Sequence, residues 1–80
     1  MEKTNEKVTR YYHTDYPDFF VEVVKKGSGR GCEYEAWLGK DGSGVMDFMF
    51  GLIPQSEQEF LDIVEANLAE YVSMWDINHV

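Results

Sequence analysis

Forty consecutive residues, 41 to 80, contain no lysine and no arginine, although eight acids fall there: Asp41, Asp47, Glu57, Glu59, Asp62, Glu65, Glu70 and Asp76. Ordinary composition leaves a base-free run of that length a chance of roughly one in a hundred, so the asymmetry is a property to be explained. A surface without bases disfavours nucleic acid and anionic membranes as direct partners, because both are bound through positive patches. Cysteine is nearly absent too. The single Cys32 excludes an intrachain disulfide and leaves a cysteine-rich zinc site without ligands, in keeping with a reducing, cytoplasmic setting. Long apolar runs are missing: nothing approaches the roughly 18 residues of a membrane span, and the first ten residues lack the apolar core of a secretion signal. The expectation is a soluble cytoplasmic protein.

What is present is a small core. The chain has 80 residues, 44% of them hydrophobic and 15% aromatic, too much buriable surface for a disordered segment and enough for one domain over residues 1–80. Residues 1–6 are polar and expected to be flexible. The first forty residues hold seven acids and all seven bases, so the whole net charge of −8 belongs to the second half.

Periodicity separates the chain into strands followed by a helix. Three segments alternate with period two: 18–26 with Phe19, Val21 and Val23 on one side, 32–38 with Cys32, Tyr34, Ala36 and Leu38, and 46–52 with Met46, Phe48, Phe50 and Leu52. Glycine-rich connectors at 27–31 and 40–44 supply the positive φ that hairpin turns need. An earlier segment, Lys7 to His13, reads as an added edge strand closed by a turn around Pro17. Ser56 with Glu59 three residues on forms a capping-box pattern, after which Phe60, Leu61, Val64, Leu68, Tyr71, Val72 and Trp75 make one helical stripe. The expected fold is α+β: a three- or four-stranded antiparallel meander with one C-terminal helix on one face, (β)βββα.

A continuous apolar face suggests a register with Val23 opposite Tyr34 and Ala36 opposite Phe48, which would place Phe48 and Tyr34 beneath Phe60, Val64, Leu68 and Tyr71. The outer sheet face would then carry Phe20, Trp37 and Asp47 in one row, Glu22, Glu35 and Met49 in the next, and Val24, Glu33 and Gly51 in the third. One helix cannot cover both faces of a sheet, so this surface is left to water or to a partner. Large apolar groups mixed with acids, centred on Trp37, have the composition of an interaction surface.

Chemical motifs lead nowhere definite. The segment 27–31 is rich in glycine but opens a strand, whereas a phosphate loop must open a helix. Asp41 begins a calcium-like loop whose fifth position is Val45 and whose twelfth is Leu52. His13 with Asp15 lacks further ligands, and Cys32 falls on the apolar face, so no metal, cofactor or catalytic residue is expected. Three functions remain open. The first is a non-enzymatic protein-binding domain offering carboxylates to a basic, nucleic-acid-binding protein as an inhibitor, with Phe20, Glu22, Glu33, Glu35, Trp37, Asp47, Met49, Asp62, Glu65 and Glu70 as the contact residues. In size and charge, the chain resembles small acidic inhibitors of phages and mobile elements, some anti-CRISPR proteins among them, a likeness that transfers no residue. The second is a structural domain that homodimerises through its sheet. The third is a hydrolase using Glu22 and Glu35 as an opposed carboxylate pair.

Overall fold

The computed structural model describes residues 6–27 and 31–79. Strands β1 (Lys7–His13), β2 (Tyr16–Lys26), β3 (Glu33–Lys40) and β4 (Met46–Leu52) form one antiparallel sheet in the order β1-β2-β3-β4, followed by helix α1 (Glu57–Ser73) and a short α2 (Trp75–Asn78). This is the expected α+β meander in its four-stranded form. No helix among the described residues is long and apolar enough to cross a membrane. Of the residues 1–6 anticipated to be flexible, 1–5 lie outside the described residues, as do the turn residues 28–30.

Local chemistry explains the boundaries. Ser56 caps α1, its Oγ accepting from the Glu59 N–H at 3.1 Å, and the Glu59 carboxylate reaches back to accept from the Gln55 N–H at 3.3 Å. Gly27 and Gly31 take φ of 95° and 72°, so the ladder stops at Lys26↔Glu33 and the β2–β3 connection is longer than a tight turn. The first turn lies at Thr14 and Asp15, with His13 paired to Tyr16, and not around Pro17; that proline sits in β2 beside an irregularity in the β1 pairing. The predicted single helix is interrupted at Met74, whose N–H reaches the carbonyls of Glu70 and Tyr71; Trp75 then opens α2 and is buried, edge-on to Phe19 at 5.6 Å.

The longer connection moves the β2–β3 register by two residues, pairing Val23 with Ala36 and Lys25 with Tyr34. A two-residue slip preserves which side each residue faces, so the inner assignments of β2 and β3 hold. Strand β4 differs. A bulge between Ala36 and Trp37 sets Ala36 opposite Phe50 but Trp37 opposite Phe48, leaving Met49 as the extra residue. Met49 and Phe50 both turn inward, and Phe48 turns outward, where it is 50% exposed. The expected burial of Phe48 is therefore overturned. Phe50 takes its place against Phe60, with ring centroids 5.6 Å apart, while Tyr34 packs on Phe60 at 5.4 Å as expected. Tyr71 donates its hydroxyl to the Met49 carbonyl at 3.2 Å, so α1 satisfies a group at the bulge. The core is closed by Val21, Val23, Ala36, Leu38, Val64 and Leu68, all buried.

Candidate functional site

Strand register divides the proposed contact residues between two faces of the molecule. Phe20, Glu22, Glu33, Glu35 and Trp37 alternate onto the outer sheet face, as expected. Met49 does not join them, because the bulge turns it into the core. Asp47 is also displaced: opposite Leu38 it faces the helix layer, where its carboxylate meets the His79 ring at 2.6 Å. Asp62, Glu65 and Glu70 lie exposed on α1, in the other layer.

The outer face is aromatic, and two of its acids are paired with bases, whereas Glu33 is exposed and forms no ion pair among the described residues. Arg10 on β1 stands opposite Glu22, its guanidinium 2.7 Å from the carboxylate, and also lies 3.8 Å over the Phe20 ring. Phe20 is thus only 7% exposed, roofed by Arg10 and Tyr12 and seated on Gly39, and it presents little surface to a partner. Glu35 holds Lys26 at 3.0 Å and accepts from the Trp37 indole N–H at 3.3 Å. The Lys26 hydrogen bond, reinforced by Trp37, keeps the Glu35 carboxyl below its ordinary range despite partial burial, and the same bond raises Lys26. The Glu22–Glu35 opposition does not exist. Glu22 faces Trp37 across the ladder and Glu35 faces Val24, so the two acids are diagonal neighbours instead of an opposed pair, each holding its own base.

Around Trp37, the ring of Phe48 packs edge-on at 5.2 Å. Tyr12, Val8 and Met46 on the same face are also exposed, with the Arg10–Glu22 pair between the β1 residues and Trp37. Phe48, Tyr12 and Met46 were absent from the expected site. The bulge that exposes Phe48 leaves no periodic signal, and β1 supplies Tyr12 only once it is known to pair with β2.

The helix layer carries a larger set of acids. Glu57, Glu59, Asp62, Glu65, Glu70 and Asp76 are all exposed, and among the described residues none forms an ion pair with a lysine or arginine. Their contacts are to neutral or weakly basic groups: Tyr11 donates to Glu57 at 3.2 Å, Gln58 to Asp62 at 3.0 Å, and His13 meets Glu65 at 3.2 Å. Burial, with Glu57 second, raises the Tyr11 hydroxyl above its usual value.

Between α1 and β1 runs a cleft of about 170 Å³. Phe60 of α1 packs against Tyr34 and Phe50, while toward β1 the helix is held by the side-chain contacts Tyr11–Glu57 and His13–Glu65, beside which the cleft opens. Val21, Leu38 and Leu68 floor it, Tyr11, Tyr16 and Phe19 form one wall, and Leu61 of α1 faces them. The sequence marked Leu61 as part of the helical stripe, but the cleft depends on where the helix lands across the sheet. Comparison with protein-family models, curated proteins and solved structures finds no match to this chain.

Proposed function

We propose that the chain is a non-enzymatic binding protein that presents the carboxylates of α1 to a basic protein. The observation that carries this reading is the segregation of charge. On the outer sheet face the described bases Arg10 and Lys26 are held by Glu22 and Glu35, whereas the exposed acids of α1 form no ion pair with a lysine or arginine among the described residues, Lys25 and Lys40 on that side of the sheet lying over the Tyr34 and Phe19 rings. A negative surface of this kind accelerates capture of a positive partner by electrostatic steering and disfavours acidic competitors. A groove shaped for phosphates would accept it, so the activity assigned is inhibition of a nucleic-acid-binding protein by occupation of its basic surface. The test is capture from the source cells with two baits, the native chain and a variant carrying Glu59→Gln, Asp62→Asn, Glu65→Gln and Glu70→Gln. A basic protein retained by the native bait, released by salt and lost with the variant supports the reading; equal retention by both refutes it.

A second reading rests on the outer sheet face. Trp37, Phe48, Tyr12 and Met46 are aromatic and apolar groups of the outer face, where Glu22 and Glu35 are each paired with a base, so that two copies would meet there with less repulsion than across the exposed acids of α1. This reading gives a homodimer with its acidic helices pointing outward. Sedimentation of the native chain and of Phe48→Glu over a range of concentrations decides it, since only a dimer through this face is dispersed by the added charge.

A further inference from the structure

The cleft beside α1 has the dimensions and lining of a small-molecule site, and the geometry points to a single-ring organic ammonium, an arylalkylamine, as its ligand. The size argument comes first. An apolar cavity of about 150 Å³ is enough to take up one benzene ring, and this cleft measures about 170 Å³ with an aliphatic floor and an aromatic wall. Among its lining residues, the only ionisable side chains besides tyrosines are His13 and Glu65. Glu65 is 69% exposed at the mouth and uses Oε2 toward His13, leaving Oε1 without a protein partner among the described residues. An ammonium group at the end of a short linker would reach that oxygen while its ring stays in the apolar part.

Charge selects the cation. The same flank of α1 carries Glu57 and Asp62, no base stands on the helix, and the chain as a whole is at −8, so an anionic ring compound is repelled where an ammonium is drawn in. The tyrosine rings of the wall add the aromatic surface on which organic cations are commonly held, the Phe19 ring already having Lys40 Nζ 5.5 Å from its centroid. The inference shares only Glu65 with the proposed basic-partner surface, and the ring's place among Val21, Leu38, Leu61 and Leu68 does not depend on that partner.

The experiment is a titration of the full chain with phenethylammonium chloride followed by amide NMR. Saturable shifts are expected at Tyr11, Tyr16, Leu61 and Leu68, with a dissociation constant in the millimolar range appropriate to so small a ligand. Phenylacetate at the same concentrations should produce no saturation. Glu65→Gln, an exposed substitution, should weaken phenethylammonium about threefold, the size of an exposed ion pair. Leu61→Trp should fill the cleft and abolish saturation, and Leu61→Phe replaces it if the larger ring prevents folding. The proposal is overturned by an absence of saturation with the ammonium, by phenylacetate binding equally well, by unchanged affinity in Glu65→Gln, or by undiminished binding in a folded Leu61 variant.

Discussion

Gly39→Ala offers a sharp test of the outer sheet face, because two effects of opposite sign compete there. Glycine inside a strand is costly relative to alanine by about 0.5–1 kcal/mol, so on backbone grounds alone the substitution should stabilise the domain. The structure reverses the sign. Gly39 lies opposite Phe20, and a Cβ at position 39 would fall 2.3 Å from the ring's Cζ and 2.6 Å from Cε1. The ring cannot stay, yet it is pinned from above by the Arg10 guanidinium at 3.8 Å and by Tyr12 at 6.1 Å. A buried phenylalanine removes roughly 200 Å² from water, so turning half of that out at about 25 cal/mol per Å² costs about 2.5 kcal/mol. Subtracting the backbone gain leaves a net loss of about 1.5–2 kcal/mol. Urea unfolding followed by tryptophan fluorescence measures it. The diagnostic comparison is the same change in a Phe20→Ala background, where the obstacle is gone and Gly39→Ala should stabilise by about 0.5 kcal/mol. If alanine is tolerated equally in both backgrounds, Phe20 does not seat on Gly39 and the description of this face is wrong.

Three further outcomes follow from other parts of the molecule. Phe60 is 0% exposed, and Phe60→Ala should cost about 3–5 kcal/mol, whereas Phe48→Ala on the outer face should cost under about 1 kcal/mol; thermal melts of the two variants report directly on the β4 bulge. Glu70→Lys places a base in the last turn of α1, which has none, and should raise stability by about 0.3–0.5 kcal/mol at low salt while weakening any basic partner, as a melt and a binding titration would show. Because the folded Glu35 carboxyl is held below its ordinary value by Lys26, its contribution is present above the unfolded glutamate value of about 4.3 and is lost as pH falls through the lower folded one. Glu35→Gln should therefore be less stable than the native chain at pH 7, with the gap closing toward pH 3 in urea midpoints.

Most of the architecture was legible because it rests on local signals. Period-two alternation located the strands to within about two residues, an accuracy ordinary for such boundaries. The Ser56–Glu59 pattern marked the helix start because the unpaired N–H groups there need a nearby side-chain oxygen. The candidate site was read less completely. Trp37, Glu22, Glu33 and Glu35 were assigned to the outer face because β2 and β3 tolerate a slip of two. Met49 and Asp47 were misassigned because a single extra residue inverts every side chain beyond it, and nothing in Met46–Leu52 distinguishes an apolar residue facing Trp37 from one facing Phe60.

The amino-acid sequence by itself determined the order of strands before helix, the helix cap, the net charge of −8 and the confinement of that charge to the second half, since each depends on neighbours along the chain or on a sum over it. Only the tertiary structure decided which acids are neutralised, which aromatics reach water, and where a cleft opens. Ion pairing of Glu22 with Arg10 and of Glu35 with Lys26 required strands brought together by register, the exposure of Phe48 required the bulge, and the cleft required α1 to be packed across the sheet so that Leu61 and Glu65 face β1. These are relations between residues distant in the chain, set by how whole faces pack, and no local pattern encodes them.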